Sequence, residues 1–222
     1  MTGIAPFLCA LTLAAMTPGP ASQPRLRIVA MGDSTTAGTP AFRSPVEAPP
    51  DGRGDATSQY AYWLRQWHPE WDVLNKGVNG ERTDQIRARF ERDVIAEKPA
   101  VVIVIAGVND VYQGRRASHA VEQLRWMYER AAQAGLQVIA GTIVPYNTAT
   151  ADQNARMGEI NGWIRKVAAT MPAVHVVDTR AAVAAPGKPD MLSDTPDQLH
   201  PSPAGYRAMA AAIRPVLERL LR

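Results

Sequence analysis

AVVIVIAG, residues 100–107, runs seven apolar residues into a glycine with no polar break. A strand with one wet face alternates polar and apolar residues, because successive side chains point to opposite sides of the sheet. An unbroken β-branched run instead fits a strand buried on both faces, as in a parallel sheet sandwiched between helices. Working outward, similar short runs recur at RLRIVAM (25–31), WDVLNKG (71–77), LQVIAGTIV (136–144) and AVHVVD (173–178). Helical patterns separate them. Ile86, Phe90 and Val94 repeat every four residues, and so do Leu124 and Tyr128, with Val121 three residues before Leu124. Such spacings put side chains on one helix face. Gly135 follows the second pattern as a helix stop. Met157, Ile160, Ile164 and Val167 mark a third. A last helix opens with Ser202 as N-cap and Pro203 at its first position, and Pro215 should bend it late. Strands alternating with helices predict an α/β fold, with five parallel strands in one sheet covered on both faces. The stretch TPAFRSPVEAPPDGRGDATS (39–58) breaks the alternation, and a loop of that length in a compact domain is usually functional or disordered.

The 222-residue chain fits a single domain, placed at 25–222. Its one cysteine, Cys9, excludes an internal disulfide framework and any cysteine-built metal cage. Lys and Arg total 24 against 21 Asp and Glu, but they are interspersed. No basic stripe forms, so nucleic acid is not an expected partner. Residues 1–24 contain no charged side chain, and their apolar stretch IAPFLCALTLAAM (4–16) is too short to span a bilayer. The segment reads as a signal peptide, with a disordered apolar tail as the alternative, and no stable membrane insertion is expected. The mature chain is therefore expected outside the cytoplasm, secreted or periplasmic. Without a functioning signal it would be cytoplasmic. Nothing in the sequence specifies an oligomer.

In parallel sheets ligands bind beyond the carboxyl ends of the strands. Gly32-Asp33-Ser34-Thr35 follows the first run, GVNGERT (77–83) the second, Gly107-Val108-Asn109-Asp110 the third, and DQLHPSPAGY (197–206) lies between the last run and the last helix. A serine hydroxyl needs a base within hydrogen-bond reach to act as a nucleophile. His200 can be that base, and Asp197, three residues earlier, can orient its ring and stabilise its protonated form. The developing oxyanion needs fixed donors. The backbone N–H groups of Ser34 and Gly80 and the side-chain amide of Asn109 are the candidates.

Gly32-Asp33-Ser34, the Gly80 turn, Gly107-x-Asn109-Asp110 and Asp197-x-x-His200 together resemble the four blocks of the SGNH hydrolases, also called the GDSL lipase/esterase family. The resemblance covers essentially residues 26–221, with the blocks in family order. It implies a flavodoxin-like three-layer α/β/α sandwich and a serine esterase or acylhydrolase. Ser34 would be the nucleophile, Asp197 and His200 its supporting pair, and Ser34, Gly80 and Asn109 the oxyanion hole, with no cofactor and no metal. Its implied substrates are small-molecule, carbohydrate or lipid esters: O-acetylated carbohydrate or peptidoglycan, lysophospholipid, acyl-thioester or arylester. Two departures stand out. Thr35 replaces the family's leucine, and 39–58 resembles nothing general to the family.

Other readings compete. Ser34 could merely cap a helix. Asn109 could cap a turn, and Asp110 reads as a turn former or a partner of the site. Asp33 reads as structural. His68, His119 and His175 have no comparable setting, and Asn79, Arg82, Arg43 and Arg53 read as solvated loop residues. Tyr60, Tyr62, Trp63, Trp67 and Trp71 could stack sugars, but the four-residue spacing of Trp63 and Trp67 fits core packing. A different class of function also remains open. GDSTTAGT (32–39) could cradle a phosphate at a helix N-terminus, as in a flavodoxin-like nucleotide binder that cleaves nothing. A catalytically silent carbohydrate-binding relative is the third reading.

Overall fold

A computed structural model describes Met1 and residues 26–222. The signal-peptide expectation for 1–24 therefore lies outside the described residues, apart from Met1. Among the described residues, no helix is long and apolar enough to cross a membrane. Five strands, β1 (Leu26–Gly32), β2 (Trp71–Gly77), β3 (Val101–Ile105), β4 (Gln137–Gly141) and β5 (Val174–Val177), form one sheet. Its order is β2-β1-β3-β4-β5 and every pairing is parallel. The nine α-helices among the described residues are α1 (Ser34–Ala37), α2 (Tyr60–Trp67), α3 (Thr83–Ala88), α4 (Phe90–Asp93), α5 (Val108–Tyr112), α6 (Ala117–Gln133), α7 (Ala151–Val167), α8 (Thr179–Val183) and α9 (Pro203–Leu220).

The unbroken apolar runs bury both faces of the sheet. Val29, Met31, Val102 and Val104 pack on one side with Phe90, Leu124, Tyr128, Ile160 and Ile164. Ile28, Ala30, Ile103 and Ile105 pack on the other with Tyr60, Leu64, Tyr206, Met209 and Ile213. Neighbouring residues of one strand thus serve opposite layers, which explains the missing polar alternation.

Two elements differ from expectation, a helix and a strand end. Ile86, Phe90 and Val94 are all fully buried, but no single helix carries them. The chain breaks at Arg89 (φ −106°, ψ 6°) into α3 and α4, as that arginine turns inward. The fourth strand ends at Gly141, earlier than the apolar run to Val144 suggests. Pro215 lies inside α9 without ending it. The 39–58 stretch is ordered, pairing Phe42–Arg43 with Arg53–Gly54 in an antiparallel ribbon before a 3₁₀ turn at Ala56–Ser58.

The aromatic cluster belongs to the α2–α9 packing. Arg207 lies over the Trp63 ring at 5.2 Å and Arg214 over the Trp67 ring at 5.1 Å, while the Trp63 indole donates to the Thr57 carbonyl at 2.9 Å. His68 stacks on Trp71 at 3.8 Å. His175 sits on the edge strand β5 with its Nε2 2.8 Å from Gln137 Oε1.

The turn after β1 leaves no room for a side chain at Gly32, where a Cβ would stand 2.3 Å from both the Ile105 carbonyl oxygen and Thr36 Oγ1. Gly32→Ala should cost about 1–3 kcal/mol, the usual range for overpacking. Equilibrium urea unfolding reads this, and an unchanged midpoint would mean that β1 and β3 are not so closely appressed.

Candidate active site

The register of the parallel strands sets Gly32 level with Gly77 on one side and Ile105 on the other. The turns leaving β1, β2 and β3 therefore start from one edge. Asp33 is the N-cap of α1, its Oδ1 accepting the Thr35 N–H at 3.0 Å. That arrangement leaves the Ser34 hydroxyl free of capping duty. It points to His200, whose Nε2 lies 2.9 Å from Ser34 Oγ. Nδ1 of the same ring lies 2.7 Å from Asp197 Oδ2. Three groups separated by up to 166 residues thus form one hydrogen-bonded chain.

The loop carrying the pair is tightly folded. Asp197 Oδ1 accepts the N–H groups of Leu199 (3.0 Å) and His200 (2.8 Å). Gln198 between them adopts a left-handed φ of +66°, a conformation that non-glycine residues seldom take. Its carbonyl accepts the Asn147 N–H at 2.7 Å, tying the loop to the segment that follows β4. Partial burial pushes the Asp197 carboxyl up, but hydrogen bonds from the His200 ring and from the Leu199 and His200 N–H groups outweigh it and hold the group below the usual carboxylate range.

Opposite Ser34 lies the turn after β2. The N–H of Val78 donates to the Gly32 carbonyl, that of Asn79 to Glu47 Oε1 and that of Glu81 to the Val78 carbonyl. The N–H of Gly80 has no partner among the described residues. Gly80 takes φ +77°, a value that glycine reaches without penalty. Asn109, at the start of α5, donates one amide hydrogen to the Glu81 carbonyl at 3.0 Å. A carboxamide carries two such hydrogens, so the orientation is fixed while one remains uncommitted. The Ser34 N–H, at the first position of α1, has no intrahelical acceptor. Ser34, Gly80, Asn109 and His200 line one cleft of about 240 Å³, with Asp197 behind the histidine.

Val108, Tyr112, Tyr146 and Leu199 give the cleft a largely apolar wall, and Thr35, Asn79 and Gln113 also line it. Tyr146 is buried and meets the exposed Tyr112 edge-on at 5.7 Å. Sequence reasoning misses Tyr146, although Pro145-Tyr146-Asn147 lies just beyond the fourth strand, where the same strand-end rule applies. It also misses Arg89. This buried guanidinium donates to the carbonyls of Gly32 (3.0 Å) and Lys76 (2.7 Å), to Glu81 Oε2 (2.7 Å) and to Asp93 Oδ2 (2.9 Å). Its signal is a charged pair four residues apart, Arg89 and Asp93, set in a buried segment beside Phe90.

Asp110 is fully buried beneath the site and accepts both the Thr83 N–H (2.9 Å) and the Thr83 hydroxyl (2.7 Å). Burial nevertheless keeps its carboxyl above the ordinary value. Asp84, Asp110 and His119 bring ligand atoms within 4.8 Å of one another. Both Asp84 oxygens, however, are engaged by Arg82, and both Asp110 oxygens by Thr83. The cluster is an ion-pair and hydrogen-bond junction, and it joins α3 to α5.

A hydroxyl, an imidazole and a carboxylate aligned at the carboxyl edge of a flavodoxin-like sheet define the general class, an α/β protein with a serine-hydrolase geometry. The sequence pattern of the GDSL-like lipase/acylhydrolase family matches residues 30–208, and the chain belongs to that family. An acetylxylan esterase of Geobacillus stearothermophilus is 39% identical over 75 residues, which is 30% of this chain and 34% of that protein. The lipoprotein YqeF of Bacillus subtilis (strain 168) is 32% identical over 80 residues, 33% of each chain. The match thus spans about a third of the length of these two relatives. Among solved structures, a GDSL-like lipase from Bacteroides thetaiotaomicron VPI-5482 superposes with a TM-score of 0.70 at 22% identity, over 87% of this chain and 88% of that one. The acetylxylan esterase Axe2 of G. stearothermophilus superposes with a TM-score of 0.65 at 24% identity, over 87% and 93%. At these identities the superpositions speak for the fold.

Asp33, 1% exposed, has its carboxyl pushed up to about 7. Burial is the main cause, opposed by the Thr35 hydrogen bonds and reinforced by the charges of Asp110 and Glu81. A raised folded-state value means that the unfolded chain ionises first, so stability falls as pH rises from about 3.8 to about 7 and then levels off. Asp33→Asn keeps an acceptor for the Thr35 N–H without the ionisation. Its melting temperature relative to the parent should climb across that window, and a difference that stays flat would mean that Asp33 is ionised when folded.

Proposed function

We propose that the chain is a serine esterase that cleaves short acyl groups from alcohols through an acyl-enzyme on Ser34. The observation that carries this reading is His200 standing within hydrogen-bond reach of both Ser34 Oγ (2.9 Å) and Asp197 Oδ2 (2.7 Å). Ser34 Oγ attacks the ester carbonyl carbon as its proton passes to His200 Nε2. Asp197, ionised and bonded to Nδ1, orients the ring and stabilises the imidazolium. The carbonyl oxygen, now negative, is received by the N–H groups of Ser34 and Gly80 and the free amide hydrogen of Asn109. The tetrahedral adduct collapses, the C–O bond to the alcohol breaks, and His200 returns its proton to the leaving oxygen. Water then enters, loses a proton to His200 and attacks the acyl-enzyme. The acid departs and Ser34 recovers its hydrogen. Every proton in the cycle is carried by His200.

Family membership and the acetylxylan esterase relative support ester hydrolysis and favour an O-acetylated carbohydrate as substrate. The cleft's volume of about 240 Å³ lies below the usual range for ligand pockets, roughly 300–1,000 Å³, and suits an acetyl group better than a fatty chain. The uncharged, apolar 4–16 stretch and the lipoprotein relative favour export, where such polymers are met. A lysophospholipase or thioesterase of the same family is the alternative within the class. The phosphate-cradle reading of 32–39 is disfavoured, because the Asp33 side chain already takes the Thr35 N–H that a phosphate at this helix start would need.

Ser34→Ala should remove nearly all hydrolysis of p-nitrophenyl acetate, and a fluorophosphonate should label Ser34. Residual activity near the parent's, or an adduct mapped elsewhere by mass spectrometry, would refute the nucleophile. Across acetylated xylan, acetylated peptidoglycan, lysophospholipid, acyl-CoA and nitrophenyl esters of rising length, the acetyl esters should be turned over fastest. Asn109→Ala should lower kcat by about a hundredfold or more, as loss of an oxyanion donor does. An unchanged rate would take Asn109 out of the site.

A further inference from the structure

The 39–58 segment has no place in the chemistry above, and its contacts give it one. Ser44-Pro45-Val46-Glu47 forms a tight turn in which the N–H of Glu47 donates to the Ser44 carbonyl at 3.0 Å. Proline at the second position presets the backbone for such a turn. The turn is braced internally, with the Ser44 N–H on Glu47 Oε2 at 3.0 Å. It reaches the β2–α3 turn at two points. The Ser44 hydroxyl, fully buried, donates to the Gly77 carbonyl at 2.6 Å, and Glu47 Oε1 accepts the Asn79 N–H at 2.9 Å. From the other side, Gln113 and Asn109 donate to the carbonyls of Gly80 and Glu81, each at 3.0 Å. The Gly80 N–H is thereby bracketed, with its neighbour Asn79 held by Glu47 and its own carbonyl held by Gln113.

We propose that Glu47 is a positioning residue for the oxyanion site. By gripping the Asn79 N–H it fixes the peptide that precedes the one carrying the unpartnered Gly80 N–H, while Gln113 fixes the peptide that follows and Ser44 anchors the same turn at Gly77. This rests on the esterase reading and adds to it the task of the 39–58 segment. Glu47 does not line the cleft and touches no substrate atom. Its effect is to keep the donor aimed where the oxygen will stand in the transition state. A donor that drifts loses its grip on the developing charge, while substrate, held by the apolar walls, still binds.

Three chains test this on p-nitrophenyl acetate: Glu47→Ala, Glu47→Gln and Ser44→Ala. Glu47→Ala should lose about tenfold in kcat, less than outright donor removal, with KM within twofold of the parent. Its affinity for a trifluoromethyl ketone, which forms a tetrahedral oxyanion on serine, should weaken in parallel. Glu47→Gln should recover part of the loss, because its amide oxygen can still accept from Asn79. Ser44→Ala should move kcat in the same direction. The proposal is overturned if Glu47→Ala keeps the parent's kcat, or if its loss lies in KM while ketone affinity is unchanged. Should Glu47→Ala fail to fold, Glu47→Gln and Ser44→Ala decide by the same two readouts. A parent chain that is inactive and unlabelled at Ser34 would instead strike the esterase reading itself.

Discussion

The parallel pairing that sets Gly32 level with Gly77 and Ile105 governs everything built on this sheet. A shift of one residue in β1 would exchange the side chains facing the two helical layers, burying none of the right ones. It would also move the Ser34 turn along the strand by about 3.3 Å. That displacement exceeds the length of the hydrogen bond joining Ser34 to His200. The apolar core therefore sets the position of Ser34, since the register that buries Ile28 and Val29 in opposite layers is the one that brings this residue to the rim. Arg89 reinforces it by holding the last carbonyl of β1 and a carbonyl near the end of β2 with one guanidinium.

Carboxylates crowd this rim, and their surroundings give them opposite tendencies. Asp33 and Asp110 are buried with few donors, and burial drives both upward. Asp197 is more open and accepts four hydrogen bonds, and it is driven downward. In the proposed cycle, the carboxyl that must balance an imidazolium is thus the one whose environment favours charge, while the one beside the nucleophile favours neutrality. A charged Asp33 next to Ser34 would oppose a developing oxyanion, and the upward pull of burial on its carboxyl lessens that repulsion. Arg89 accounts for a third group, pairing Glu81 and Asp93, and its own fork is satisfied by those carboxylates and the two carbonyls. Breaking that set by removing one member would leave buried charge uncompensated, which costs more than the pairs add.

The parts of the molecule legible in the sequence are those decided by local pattern. Strand β2 begins and ends where its run does, at Trp71 and Gly77, and the Ser202-Pro203 start of α9 is marked by capping chemistry that acts within three residues. The approach of Ser34, Asp197 and His200 could be anticipated because strand ends share one edge in a parallel sheet. What escaped were features that a distant partner decides. The helix expected through residue 94 breaks because Arg89 turns to carbonyls on β1 and β2, and no periodicity encodes that pull. The order in 39–58 comes from contacts to Gly77 and Asn79, more than thirty residues away in sequence. Tyr146 entered the cleft unannounced because a lone aromatic after a strand carries no spacing signal.

The turn after β2, the proposed oxyanion site, shows what such distant contacts accomplish. In water a free peptide N–H would find a solvent partner and turn to suit it. Here the N–H groups of Val78, Asn79 and Glu81 and the carbonyls of Gly77, Gly80 and Glu81 are all committed to protein partners. The peptide that carries the Gly80 N–H is thus flanked on both sides by peptides whose groups are bonded, each bond of net worth about 1 kcal/mol. A dipole held in this way need not reorganise when charge appears on an incoming oxygen, and avoiding that reorganisation is the main source of electrostatic catalysis. In the proposed cycle the donor works because its neighbours are satisfied, and so the residues that satisfy them, Glu47 and Ser44 among them, would bear on the rate without approaching the substrate.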